Sequence, residues 1–465
     1  MKKQIIISII IAAILVVAAV IFSEKSPDSV KNGRFSSDIS GLPEAKQTET
    51  VELKNGDTYN ITASFVKKMI AGKELRMLAY NGSIPGPVIK APQGAEITIN
   101  FTNNTDVKNT IHSHGVRLDN RFDGVPDITQ KAVGVGESFT YKIKFPDEGV
   151  YWYHPHIRED YAQDLGLYGN YIVTPKEEAY WQPVNREVPI FLDDILIENG
   201  KPVPFYKEKK DHVLMGRYGN LMLVNGDDKY RLEAKSGEVV RFYITNSANV
   251  RPFSFAISGA KMKLVGGDSG AYEREMFVDS VLLAPSERAV VDVLFERSGS
   301  YEMQNKTPDN IYTLGQINIS QESASPSFVD AFNALMPHIS VVKSIDPFRE
   351  YFNKEPNKNI RLSLGLSDGM QMGLSRGMGG GHMMPNGAMM GGHMMAEESK
   401  DGIEWNDVMK DLNSSSDTVG VKWKMIDEKT SKENMDINWK FKAGDKVKVR
   451  IFNDPNSAHP MQHPI

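Results

Sequence analysis

Three stretches far apart in the chain follow one pattern: GAEITINFTNNT from Gly94, GEVVRFYITNSA from Gly237 and GDKVKVRIFNDP from Gly444. Each opens on glycine, alternates apolar with polar side chains, and reaches an asparagine where turn chemistry takes over. Alternation with a period of two buries one face of a strand and wets the other. The runs SFTYKIKFPDEGVYWYHPH and RAVVDVLFE read the same way, with Pro146 to Gly149 as a turn in the first. No long amphipathic helical pattern competes, so the chain is expected to be all-β, built as tandem Greek-key β-sandwiches of short antiparallel strands. Three copies of one β-domain is the economical reading of the echo, and 465 residues are too many for a single ordinary core. The expected domains are 46–178, 179–330 and 331–465, the last lengthened by an insertion.

The N-terminus is of another kind. Lys2 and Lys3 precede an apolar run from Ile5 to Phe22 that only Ser8 interrupts. As a helix it is about 27 Å long, close to the thickness of a bilayer core. A cleaved signal peptide has a shorter apolar core and a small-x-small exit, whereas this run ends Val-Ile-Phe-Ser. Residues 1–23 are therefore expected to be an uncleaved membrane anchor, with the lysines inside and the bulk of the chain exported on the outer side of the plasma membrane. The alternative is a secreted or periplasmic protein after signal cleavage. Polar residues 24–45 read as a tether. The formal net charge of −5 leaves no basic footprint for nucleic acid. There is no cysteine, which excludes disulfides, thiolate nucleophiles, zinc ribbons and iron–sulfur clusters within these residues, together with any copper site that needs a Cys sulfur.

The insertion, residues 369–395, reads GMQMGLSRGMGGGHMMPNGAMMGGHMM. It is too rich in Gly and Met to form a packed core. Thioether is a soft ligand that suits Cu(I), so the segment reads either as a capture device for soft metal or as a low-complexity expansion.

Of the 10 histidines, four fall in two His-x-His pairs, IHSHG (His112, His114) and YHPH (His154, His156). On a strand, residues i and i+2 share a face about 6.5–7 Å apart. That is too wide for one pair to chelate one ion comfortably, but it suits two adjacent metals. Two pairs facing each other offer four imidazoles around a shared cavity. Imidazole without thiolate or abundant carboxylate suits copper, with zinc the alternative. Between the pairs, Asp123 opens an Asp-Gly-Val-Pro turn, its carboxylate either near that cavity or solvated. Trp152 and Tyr153 read as strand packing, and His212 and His338 as surface residues of loops.

The segment YNGSIPGPVIKAPQGAEITINFTN, followed by HSHG, DGVPDITQ, YWYHPH and GLYGNYIV, closely resembles the first cupredoxin domain of the multicopper oxidases, the laccase-like enzymes. The match runs in order from about residue 80 to 175, and looser similarity continues to the terminal HPMQHPI. The resemblance implies three cupredoxin domains holding one mononuclear type 1 copper and a trinuclear type 2/type 3 copper cluster between the first and third. It implies that His112 binds the type 2 copper, that His114, His154 and His156 bind the type 3 pair, and that Asp123 feeds protons toward the cluster. The implied activity is one-electron oxidation of a small donor, Cu(I) or a phenol, at type 1 copper, coupled to four-electron reduction of dioxygen to water. The Met-rich insert resembles those of copper-tolerance oxidases, which favours Cu(I).

His463 matches the start of the family's third-domain motif His-Pro-x-His-x-His and so resembles a type 1 copper ligand, with His459 a neighbouring loop residue. The rest of that motif, and the family's following His-Cys-His, are not among these residues. The third domain is accordingly expected to be incomplete, the sequence a fragment, and the 465-residue chain inactive alone. Two other readings stand beside this one. The first is a non-catalytic cupredoxin-fold protein that binds copper or serves the cell envelope. The second is a copper nitrite reductase, which the lack of a first-domain cysteine ranks last.

Overall fold

The computed structural model describes residues 33–367, 401–454 and 457. The apolar run, residues 24–32 of the tether, the Met-rich insert, His459 and His463 lie outside the described residues. Among the described residues no helix is long and apolar enough to cross a membrane.

The first nine strands are β1 (Thr50–Glu52), β2 (Thr58–Ile70), β3 (Lys73–Tyr80), β4 (Val88–Pro92), β5 (Glu96–Asn103), β6 (His112–His114), β7 (Ser138–Lys144), β8 (Gly149–His154) and β9 (Gly169–Thr174). They form two sheets, ordered β3-β2-β5-β7 and β1-β4-β9-β8-β6. Between the sheets lies one core that includes Ile61, Ile99, Phe101, Tyr141, Tyr153 and Tyr171.

A second sandwich follows from β10 (Arg186–Ile195), the short ribbon β11 (Ile197–Glu198) and β12 (Lys201–Pro202), β13 (Leu221–Val224), β14 (Tyr230–Ser236), β15 (Glu238–Asn246) and β16 (Phe253–Ile257). It is completed by β17 (Lys261–Gly267), β18 (Gly270–Val278), β19 (Val281–Leu283), β20 (Arg288–Phe295), β21 (Gly299–Lys306) and β22 (Ile311–Ser323). Its sheets run β13-β10-β15-β20-β17-β18 and β14-β22-β21-β16-β19. Phe242, Phe253, Val291 and Met303 lie at the centre. Beyond it, β23 (Lys358–Leu366), β24 (Val421–Asp427) and β25 (Val449–Asn453) make a three-stranded sheet ordered β24-β23-β25. The architecture is all-β, as expected.

The echo has a structural cause. Its three copies lie on β5, β15 and β25, and each pairs in parallel with an earlier strand, β2, β10 and β23 respectively. The asparagine ending the first two copies fastens the loop that follows. Asn103 donates from Nδ2 to the carbonyls of Val107 (2.9 Å) and Val133 (3.0 Å), while its Oδ1 accepts from the Thr105 hydroxyl at 2.7 Å. Asn246 does the same to the carbonyls of Arg251 and Leu283, at 2.8 and 3.0 Å. A buried amide that satisfies several backbone groups at once has no equivalent replacement.

Alternation fails at four strands: β8, β15, β16 and β20 are buried at every residue. β8, β15 and β20 are covered on both sides. One face of each packs into its own sandwich. The other meets a neighbour: Val88, Val150 and Ile172 of the first sandwich pack against Tyr243, Val265 and Val290 of the second. Val239 and Leu294 are covered by Phe332 of the helical turn Val329–Asn333.

Two histidines expected at the surface are buried. His338 caps the short helix Ile339–Ile345, and its ring packs near those of Tyr180 and Trp181. His212 lies beside Asp211, at 3.1 Å. Its loop is covered by the segment around Asn413 and Ser416, which binds the backbone N–H groups of Met215 and Leu214. The covers come from distant parts of the chain, so the local polar context gave no sign of them.

Candidate metal centre

β6 is the edge strand of its sheet and pairs antiparallel with β8, setting His112 opposite His154 and His114 opposite Trp152. Residues paired across a ladder point to the same face, as do i and i+2 on one strand. One face therefore collects His112, His114, His154 and Trp152, while Ser113 and Tyr153 point into the core. Tyr153 donates its hydroxyl proton to the Pro87 carbonyl at 2.7 Å, which makes it a packing residue, as expected. Trp152 stacks on His154, with centroids 4.0 Å apart and planes at 16°, forming a wall of the cluster.

The second member of the YHPH pair sits differently from expectation. β8 ends at His154, because Pro155 has no N–H to continue the ladder, and His156 lies in the bend beyond. Even so its ring centroid is 5.2 Å from that of His112 and 6.2 Å from that of His154. His112 stands 5.4 Å from both His114 and His154, and His114 is 5.6 Å from His154. His112, His114 and His154 each offer one ring nitrogen within 4.8 Å of the other two.

The hydrogen bonds decide which nitrogens face inward. His112 Nδ1 donates to the Asp123 carbonyl at 2.6 Å and His154 Nδ1 to the Pro155 carbonyl at 2.8 Å. Carbonyl oxygens can only accept, so both rings carry the proton on Nδ1 and leave Nε2 as a lone-pair donor. His114 turns its Nδ1 toward His154 Nε2, at 3.4 Å. Two imidazole nitrogens bound to one ion at about 2.0–2.1 Å with a near-tetrahedral angle stand about 3.4 Å apart. His156 keeps its Nδ1 3.2 Å from Oε1 of Glu159.

Burial, followed by the charges of Arg288 and the other histidines, lowers the His114 pKa to about 3. Burial first, then the neighbouring histidines, takes His154 well below the ordinary imidazole value. His114 and His154 are thus held neutral, the form that binds metal. Asp123 is not merely a solvated turn residue. Its Oδ1 lies 3.4 Å from His112 Nδ1, and that contact holds its pKa below the usual carboxylate value. The donor set, imidazole nitrogens with carboxylate only in the outer ring, fits copper.

Two residues beside the cluster escaped the sequence reading. Glu159 follows His156 by three positions, a spacing that could have drawn attention. Arg288 comes from β20 of the second sandwich, and nothing in its local sequence points to the histidines.

Comparison with known proteins agrees with this geometry. Two successive family models, each described as multicopper oxidase, match residues 63–178 and 171–323. The multicopper oxidase MmcO of Mycobacterium tuberculosis is 31% identical over 271 residues, 52% of this chain and 52% of that one. A putative laccase-1 of Oryza sativa subsp. japonica is 30% identical over 232 residues, covering 48% of this chain and 39% of the relative. The chain thus spans about half the length, or less, of these curated relatives. Among solved structures, a multicopper oxidase from Pseudomonas thermotolerans superposes with a TM-score of 0.54 at 26% identity, covering 67% of this chain and 73% of that one. With both sandwiches matched in order and the histidine cluster on the first, the chain belongs to the multicopper oxidase family.

Proposed function

We propose that this chain carries part of a copper-dependent oxidase, with His112, His114, His154 and His156 as the first-domain ligands of a copper cluster. The observation that carries it is the convergence of ring nitrogens of His112, His114 and His154 within 4.8 Å of one another, with a fourth imidazole alongside. Copper bound there supplies one-electron redox chemistry and a place for dioxygen. In this reading His112 serves the type 2 ion, the other three serve the type 3 pair, and Asp123, against His112, hands protons inward as dioxygen is reduced to water. The main-chain carbonyls of Asp123 and Pro155 fix the two rings that they bind, and Trp152 keeps water from one side of His154.

Donor and place belong to the same proposal. The Met-rich stretch 369–395 supports Cu(I) as the donor and a role in copper tolerance, with phenols as the alternative. The apolar run Ile5–Phe22 supports export and anchoring on the outer face of the membrane. Turnover needs a thiolate for type 1 copper, and the 465 residues hold no cysteine.

The test is copper analysis of the purified chain beside a His112→Ala/His114→Ala/His154→Ala variant, together with oxygen uptake on Cu(I) or a phenol. Copper bound by the parent and lost by the variant, with no oxygen uptake by either, supports the proposal. Equal copper in both would remove its basis.

A further inference from the structure

Beside the histidines stands a charge that belongs to the second sandwich. Arg288 opens β20, and only 4% of its side chain is exposed. Nε donates to the Val150 carbonyl at 3.2 Å and Nη1 to the Ser286 carbonyl at 2.8 Å. Nη1 also lies 3.3 Å from Oδ1 of Asp268, which accepts the Arg288 backbone N–H at 2.7 Å. Val150 is on β8, the strand that carries His154. Nη2 reaches the other histidine strand: a Cβ built on Gly115 would stand 2.5 Å from it. Gly115 directly follows His114 and takes φ of +81°, so the chain forgoes a side chain where the guanidinium needs room.

The cation thus lies against both strands that bear the cluster, bonded to Val150 on β8 and close to Gly115, the residue that follows β6. Its partial counter-charge, Asp268, is on the solvent side, with 47% of its side chain exposed. Solvent screens that pairing more than it screens the buried approach to His114.

We propose that Arg288 is a positioning residue of the metal centre whose fixed charge makes the site favour the cuprous over the cupric ion. The inference rests on the copper reading above. Oxidising bound Cu(I) to Cu(II) removes one electron and adds one unit of positive charge. A buried guanidinium beside His114 opposes that addition through a medium of lower dielectric than water. If Arg288 merely holds the two sandwiches together, its loss loosens the site for both ions alike.

The experiment therefore reads a ratio. The affinity of the full 465-residue chain for Cu(I) is measured by anaerobic competition with a chromophoric cuprous chelator, and that for Cu(II) by competition with an amino-acid chelator. Wild type is compared with R288K and R288M. Removing the charge is expected to shift the Cu(I)/Cu(II) affinity ratio toward Cu(II) by about tenfold or more, with R288K within about threefold of wild type. An R288M protein in which both affinities fall by one common factor overturns the proposal. Should R288M not fold, D268N gives an independent arm. It keeps an oxygen for the Arg288 backbone N–H but removes the counter-charge, and it must shift the ratio toward Cu(I); no shift overturns the proposal. A wild-type chain that takes up neither ion overturns the copper reading itself, a result distinct from an unchanged ratio.

Discussion

The main-chain carbonyl of Asp123 accepts a 2.6 Å hydrogen bond from Nδ1 of His112, so a turn, and not a side chain, selects the nitrogen that His112 presents. The turn comes this close because residue 124 is glycine. A Cβ there would overlap the Ile111 carbonyl and stand 2.9 Å from Cα of His112, at a φ of +77°. Gly124→Ala must push the turn off β6. It is expected to cost about 2–4 kcal/mol of stability and to abolish copper uptake by the histidines. Urea unfolding with copper analysis checks both, and an unchanged midpoint would contradict the packing.

The Asp123 carboxylate makes only the longer contact to His112 Nδ1, at 3.4 Å. Asp123→Asn is expected to take up copper with the stoichiometry of the parent chain. Metal analysis decides the point: loss of copper in this variant would make the carboxylate itself a ligand.

A second buried network holds the chain after β22 in place. Lys263 Nζ and Glu275 Oε2 are 2.9 Å apart, with both side chains fully buried. The lysine also donates to the Ala334 carbonyl at 3.2 Å, and the glutamate accepts the Met336 N–H at 3.0 Å. His338 Nε2 stands 3.7 Å from the other carboxylate oxygen. Glu275→Ala leaves a buried ammonium without its counter-ion and is expected to cost about 3–5 kcal/mol, much of it regained in a Lys263→Met/Glu275→Leu double variant. Equal losses in the two proteins, read from urea midpoints, would place the value of the network in its backbone hydrogen bonds instead.

What could be read beforehand, and what could not, divides along sequence distance. The strand echo was legible because Asn103 and Asn246 each end a strand and fasten the turn that follows, although each also holds a carbonyl far along the chain, those of Val133 and Leu283. His112 and His114 were legible as a pair because period two on a strand places them on one face. His156 was harder: its neighbour Pro155 ends the ladder, so its position depends on a bend that no periodicity describes. The covers over His338, His212 and the outer faces of β8, β15 and β20 come from segments remote in sequence. Arg288 belongs to the same class, since its place beside His114 exists only after two sandwiches dock.

Asp164 gives stability a pH dependence of definite sign. It is 4% exposed, with Asn249 Nδ2 3.4 Å from its Oδ1. Burial raises its pKa to about 8, against the pull of Arg217 and with the push of Asp194. An unfolded aspartate titrates near about 3.9. Between those values the folded state holds one more proton than the unfolded state, so stability falls as pH rises. The contribution is fully present below about pH 4 and gone above about pH 8, with a slope of up to about 1.4 kcal/mol per unit. Asp164→Asn cannot lose a proton, so its stability should fall less steeply from pH 5 to 8. Parallel curves for the two proteins, from urea midpoints across that range, would refute the assignment.

Trp152 separates packing from ligation. Its indole is fully buried, lies 4.0 Å from the His154 ring in a near-parallel stack, and is 5.4 Å from that of His114. Among the described residues no other aromatic ring comes so close to His154. Trp152→Phe keeps a ring against His154 and should lower stability by about 1–3 kcal/mol while leaving copper uptake intact. Trp152→Ala removes the wall. It should cost about 3–5 kcal/mol through the cavity and weaken copper binding as well, because His154 then loses the stacked wall and can turn about its Nδ1 hydrogen bond to the Pro155 carbonyl. Calorimetry paired with copper titration distinguishes the two effects. If Trp152→Ala loses stability yet binds copper as tightly as Trp152→Phe, the carbonyl alone orients His154, and the tryptophan acts only as core.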